Sequence, residues 1–125
     1  KYTANMERGI DTSGILTMDY SGFRAVSIAA KDCAAPARYI IQGTKGYIQQ
    51  KSTANFCGGI TFHPNEGKEE HYNLNGGRPR QAAEFHAFAR AIEGGDQELC
   101  SRMLDTSVAV SKVLTVARRS AGLKF

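Results

Sequence analysis

The sequence predicts an α+β fold, an open, mostly antiparallel β-sheet with two C-terminal helices on one face, and three observations lead there. Ahead of Gly76-Gly77 apolar residues recur with the two-residue period of half-buried strands. The runs are separated by short Gly-, Pro- and Asn-bearing turns that suit hairpins. From Arg80 onward the period becomes that of a helix. A run of strands followed by a run of helices is the α+β pattern.

The elements follow in order. Residues 2–8 make a strand whose Tyr2, Ala4 and Met6 face alone is apolar. In residues 12–20, Leu16, Met18 and Tyr20 take one face and Ile15, Thr17 and Asp19 the other. Ser21-Gly22 turns the chain into residues 23–30, where Arg24, Val26, Ile28 and Ala30 alternate with smaller side chains. Pro36 has no N–H to donate to a ladder, so residues 31–36 are a loop or the edge of the next strand. A second hairpin joins residues 37–42 to residues 47–51 through Gly43-Thr44-Lys45-Gly46. A third joins residues 56–62 to residues 69–74 around His63-Pro64-Asn65-Glu66-Gly67, setting Ile60 and Phe62 beside Tyr72 and Leu74. In the first helix Phe85, Phe88, Ala89 and Ile92 form an apolar stripe opposite Glu84, His86, Arg90 and Glu93, and Gly94-Gly95 ends it. The second begins between Asp96 and Ser101 and runs to about Ala121. Its stripe is Met103, Ser107, Val110, Leu114, Ala117 and Ala121, with Arg118 and Arg119 at the negative end of the dipole and Gly122 as the stop.

At 125 residues and 13.6 kDa the chain reads as one domain, residues 1–125, with enough length to bury a core without disulfide or metal staples. Hydrophobic residues at 42% and charged ones at 22% exclude a disordered composition, and no apolar run approaches a membrane span. The charge is 16 basic minus 12 acidic residues, +4, with a pI near 9.1. It is scattered, the densest cluster being Arg78-Pro79-Arg80, and reads as solvated surface, so neither nucleic acid nor membrane is expected as a partner. Cys33, Cys57 and Cys100 are odd in number and far apart, giving no zinc pair and no CxxC motif. Free thiols in a reducing compartment, the cytoplasm, are the simplest account. A start at Lys1 without Met predicts an excised piece of a longer chain.

Chemistry-bearing residues are sparse. His63 falls in a predicted turn, His71 on a polar strand face and His86 on the outer face of a helix, none with a second ligand at metal spacing. There is no Gly-x-Ser-x-Gly elbow, Cys57 has no motif pairing it with a base, and Gly58-Gly59 and Gly76-Gly77 match no nucleotide-binding loop. Glu69 and Glu70 point to opposite faces of a strand and make no acid and base couple. One stretch gathers a cation, an anion and a thiol at the sheet's end: Lys31, Asp32 and Cys33 are the candidate substrate-side loop, against the plainer reading of a solvated strand end with a packed small Cys.

Four segments together resemble a known family. They are Gly14-Ile15-Leu16-Thr17-Met18-Asp19-Tyr20-Ser21-Gly22, Ile40-Ile41-Gln42-Gly43-Thr44-Lys45-Gly46-Tyr47-Ile48, Glu84-Phe85-His86-Ala87-Phe88-Ala89-Arg90-Ala91-Ile92-Glu93-Gly94-Gly95 and the closing Arg119-Ser120-Ala121-Gly122. In this order they are similar to the C-terminal domain of the Gfo/Idh/MocA oxidoreductases, and the ending Gly122-Leu123-Lys124-Phe125 is similar to the branch with dihydrodiol and sugar dehydrogenases. The resemblance implies an intact protein that uses NAD or NADP to oxidise a sugar, polyol or dihydrodiol-like alcohol. In that family a Rossmann domain, a Glu-Lys-Pro motif and an Asp-x-x-x-His motif carry cofactor and catalysis. This sequence holds none of them, so no catalytic, cofactor-binding or metal residue carries over, and the fragment alone is expected to bind no cofactor and to be inactive. The resemblance also implies a homo-oligomer through the open sheet face, consistent with strands apolar on both faces, Ile15 beside Leu16 and Ile40 beside Ile41. The other reading is a stand-alone α+β binding or dimerisation module. A Rossmann fingerprint followed by Glu-Lys-Pro upstream of Lys1 separates the two.

Overall fold

In a computed structural model, which describes residues 1–53, 55–73 and 75–124, seven antiparallel strands precede two helices, so the chain is α+β. The strands are β1 Tyr2–Glu7, β2 Ile10–Tyr20, β3 Phe23–Ala30, β4 Tyr39–Gly43, β5 Gly46–Gln50, β6 Ile60–Pro64 and β7 Glu70–Tyr72, and the helices are α1 Ala82–Gly94 and α2 Gln97–Ser120. The ladder is interrupted between Ala30 and Tyr39, the stretch that holds Pro36, and the strands fall into two meanders, β1-β2-β3 and β4-β5-β6-β7. Two compact units correspond to them: Lys1–Ala34 with the chain from Ala91 onward, and Ala35–Arg90.

In the first unit β1 and β2 are joined by Arg8 and Gly9, at φ 51° and 81°, the pair of positive angles that a two-residue type I′ hairpin requires. A bulge at Asn5/Met6 shifts the register from Asn5↔Ser13 to Met6↔Asp11. The expected Ser21-Gly22 hairpin is present, with Tyr20 paired to Phe23 and their rings stacked at 4.4 Å. Along β2 the residues Gly14, Leu16 and Met18 are half-buried while Ile15, Thr17 and Asp19 are exposed, the pattern of a sheet covered on one side. The cover reaches the sheet at β1, where α2 lies and the Tyr2 amide donates to Ser120 Oγ at 2.9 Å. Asp96 settles where α2 starts: its Oδ1 accepts from the Leu99 N–H at 2.9 Å. At the other end the Ala121 N–H returns to Ala117 O and Gly122 takes φ 79°.

In the second unit Gly43 pairs with Gly46 across the expected tight reversal. Gly46 is buried at φ 143°, and a Cβ there would run into the His63 carbonyl and come within 2.8 Å of Pro64 Cα, so β6 approaches β5 this closely only because the residue is glycine. Two expectations are corrected in this unit. Residues 56–59 are not strand: Gly58 and Gly59 lack side chains to pack, Gly59 sits at φ 135°, and pairing starts at Ile60. His63 and Pro64 belong to β6, paired with Tyr47 and Gly46, and not to the turn, which follows them and uses Gly67 at φ 106°. The last strand is Glu70–Tyr72, shorter than the 69–74 expected, and the predicted placement of Leu74 lies outside the described residues.

The helix stripes are corrected too. Phe88 is 54% exposed, and Phe85, Ile92, Met103, Leu104 and Val110 are also exposed. Ala91, at 8%, and Ala117, at 7%, are the buried apolar residues among those described, so the self-sufficient core expected from chain length does not form around the large side chains. Helical spacing specifies that a face is apolar; it does not specify that the same chain covers it.

Candidate functional site

The strand end that holds Lys31 is organised differently from its expectation. The Lys31 ammonium donates to Asp11 Oδ1 at 3.0 Å and to the Asp11 carbonyl at 2.7 Å, and its backbone N–H donates to Thr12 O. Tyr2 donates its hydroxyl to Asp11 Oδ2 at 2.8 Å. That hydrogen bond is the largest reason the Asp11 carboxyl lies below the usual carboxylate range, with the Lys31 contact next, and the same bond pushes the Tyr2 hydroxyl up. The Tyr2 ring occupies the space that a Cβ on Gly14 would need. Asp32 and Cys33 are exposed, and no hydrogen bond or ion pair among the described residues joins either to Lys31. The expected trio is therefore not one cluster: the lysine is drawn to Asp11, and the thiol is left apart.

The outer side of the same sheet is apolar. Ile15 pairs with Ile28 and Thr17 with Val26, which places Ile15, Val26 and Ile28 on the face opposite Leu16 and Met18. All three are exposed, Ile28 to 74%.

The β4-β5-β6-β7 sheet sorts its side chains by face. Tyr39, Ile41, Ile48, Phe62 and Tyr72 share one face by register; Gln42, Tyr47, Gln49, Thr61, His63 and His71 share the other with Ile40. On the polar face His63 Nδ1 donates to Glu69 Oε1 at 2.8 Å, and the imidazole stacks on Tyr47 at 4.3 Å. A carboxylate only accepts, so this bond assigns the proton to Nδ1. Nε2 is buried with no partner among the described residues. The imidazole thus links Glu69 to the Tyr47 ring on β5.

Beside that pair, Thr61 Oγ1 and His71 Nδ1 lie 3.0 Å apart. They stand in the wall of a cleft of about 450 Å³ bounded also by Gln49, Lys51, Phe56 and Asn73. The loop closing it is tied down by Gln50, whose amide donates to the carbonyls of Thr53 and Phe56, and by Ser52, whose hydroxyl donates to Phe56 O. Gly59 is held open at its floor, where a Cβ would come within 3.1 Å of the Tyr72 carbonyl. Taken one at a time, the histidines conceal this site in the sequence. The signal for it was the polar alternation 61, 63 against 69, 71, 73, which gathers them on one face.

No group of three or more His, Cys, Asp or Glu side chains that could hold a metal ion exists among the described residues. Their helices include none long and apolar enough to cross a membrane. No protein-family model and no curated protein matches this chain. The likeness to the Gfo/Idh/MocA oxidoreductases rests on the four motifs alone.

Proposed function

We propose that this chain is the C-terminal domain of a cytoplasmic NAD(P)-dependent oxidoreductase acting on a sugar, polyol or dihydrodiol-like alcohol, and that its own work is substrate-side packing and subunit association. The observation that carries the association is the exposed Ile15, Val26 and Ile28 face on a sheet whose other side is half-buried. Three branched aliphatic side chains side by side in water are a liability for a protein that stays alone, and a second copy of the same face is the economical cover. NAD or NADP belongs to the intact protein in this reading. This chain's sequence holds neither a dinucleotide fingerprint nor the family's catalytic motifs. Three exposed free thiols are consistent with a reducing compartment.

Sedimentation equilibrium at micromolar concentration tests the association. A dimer is expected, and Ile28→Lys is expected to dissociate it, because the substitution places two ammonium groups in a desolvated two-fold contact. A clean 13.6 kDa monomer overturns it. Ile40 shares its face with Gln42, Tyr47 and Gln49, so Ile40→Lys should leave the dimer intact. The oxidoreductase assignment is tested separately, by reading the coding sequence upstream of Lys1 for a Rossmann fingerprint followed by Glu-Lys-Pro.

A further inference from the structure

The cleft on the polar face of the second unit has the size and lining of a small-molecule site. Its volume of about 450 Å³ falls in the range of ligand pockets, roughly 300–1,000 Å³. Among the described residues of the lining, Lys51 is the one that carries a fixed charge. The Lys51 ammonium, the Gln49 amide and His71 Nε2 have no hydrogen-bond or ion-pair partner among the described residues, while Thr61 holds the His71 ring through Nδ1. One cationic pole, a row of neutral donors and acceptors and the Phe56 ring at one side match a small carbon skeleton with hydroxyl groups and a single anionic group. The second unit as a whole is net cationic, with Glu70 held by the hydroxyl of Tyr72, a lining residue. Residues 35–90 carry seven Lys and Arg against four Glu, a net +3, and a smaller hollow of about 70 Å³, also bordered by Phe56, is lined by Arg78 and Arg80. A field of that sign raises the local concentration of anions.

We propose that this cleft binds a small hydroxylated organic anion, with Lys51 on its carboxylate or phosphate and Gln49 and the Thr61-His71 pair on its hydroxyls. This is independent of the association reading, since it uses neither Ile15, Val26 nor Ile28. Isothermal titration of the 125-residue chain with gluconate, glucose 6-phosphate and glucose tests it. Saturable binding of at least one of the two anions is expected, about tenfold or more tighter than glucose and weakened by added salt. Whichever anion binds identifies the carboxylate or the phosphate as the group read. Lys51→Gln and, separately, Gln49→Leu should each weaken binding about tenfold while the circular dichroism spectrum is unchanged; Lys51 is exposed and Gln49 half-buried, and two variants keep the test decisive if one misfolds. No saturable binding by either anion, equal binding of glucose, or affinity unchanged in both variants overturns the proposal. Sedimentation of the same samples reports association separately, so failure of either reading is seen without the other.

Discussion

At the scale of residues, the contacts that matter join positions that are far apart in the chain. Asp11 receives Tyr2 from the neighbouring strand and Lys31 from 20 residues on, and these two partners hold its carboxylate in the charged form. The sign of the pH dependence follows. A carboxyl whose pKa is lowered by folding contributes stability above its ordinary pKa, and that contribution is lost as pH falls through the folded value. Tyr2 is raised, so its contribution is present below the ordinary tyrosine pKa and is lost as pH rises through the folded value. Asp11→Asn removes both. Thermal melts of the wild type and Asp11→Asn should therefore differ most between the carboxylate and tyrosine ranges and converge at either extreme. A gap of constant size from acid to alkali would mean that the pair contributes nothing through its charge.

Among the elements, the helices separate two kinds of information. The ends of α2 are set locally: Asp96 satisfies the Leu99 N–H, and Asp96→Ala should lower stability by about 0.5–2 kcal/mol, with Asp96→Asn retaining most of it, in denaturant unfolding followed by circular dichroism. The faces of α1 are not local. Phe88 sits on the predicted stripe yet remains half in water, so Phe88→Ala should change the stability of the unassociated chain by less than about 1 kcal/mol, where a buried phenylalanine would lose about 3–5 kcal/mol. A loss in the larger range at low protein concentration would show that Phe88 is covered within the chain itself. In the sheets, β2 and β3 keep the expected hairpin, whereas β6 gains His63 and Pro64 because Gly46 lets its carbonyl side come close.

For the whole molecule the decisive quantity is how little large apolar surface the single chain buries. Small alanines are its buried apolar residues among those described, and Phe85, Ile92, Ile28 and Leu104 stay exposed. Any partner that covered those faces would add to the stability of such a chain. If a second copy does so, the melting temperature should rise steadily with protein concentration, by mass action, across a hundredfold dilution series. A melting temperature independent of concentration, with the dye-binding surface of a loosely packed state, would count against association as the source of stability.

The sequence by itself determined the fold class, most hairpins and the stops of both helices, because each of these depends on residues within a turn or two of one another: period-two alternation in β2, positive φ at Gly22, and glycines at positive φ behind the helices, Gly95 and Gly122; the start of α2 it left between Asp96 and Ser101. It also carried, in the alternation of residues 61, 63 and 71, the polar face on which the cleft stands. Only the tertiary structure decided that the strands split into two meanders, that Lys31 turns to Asp11 and away from Asp32 and Cys33, and that the aromatic stripe of α1 is left uncovered. Those outcomes depend on which distant segments close on one another, and pairing over tens of residues is set by the packing of the whole chain, which no local pattern contains.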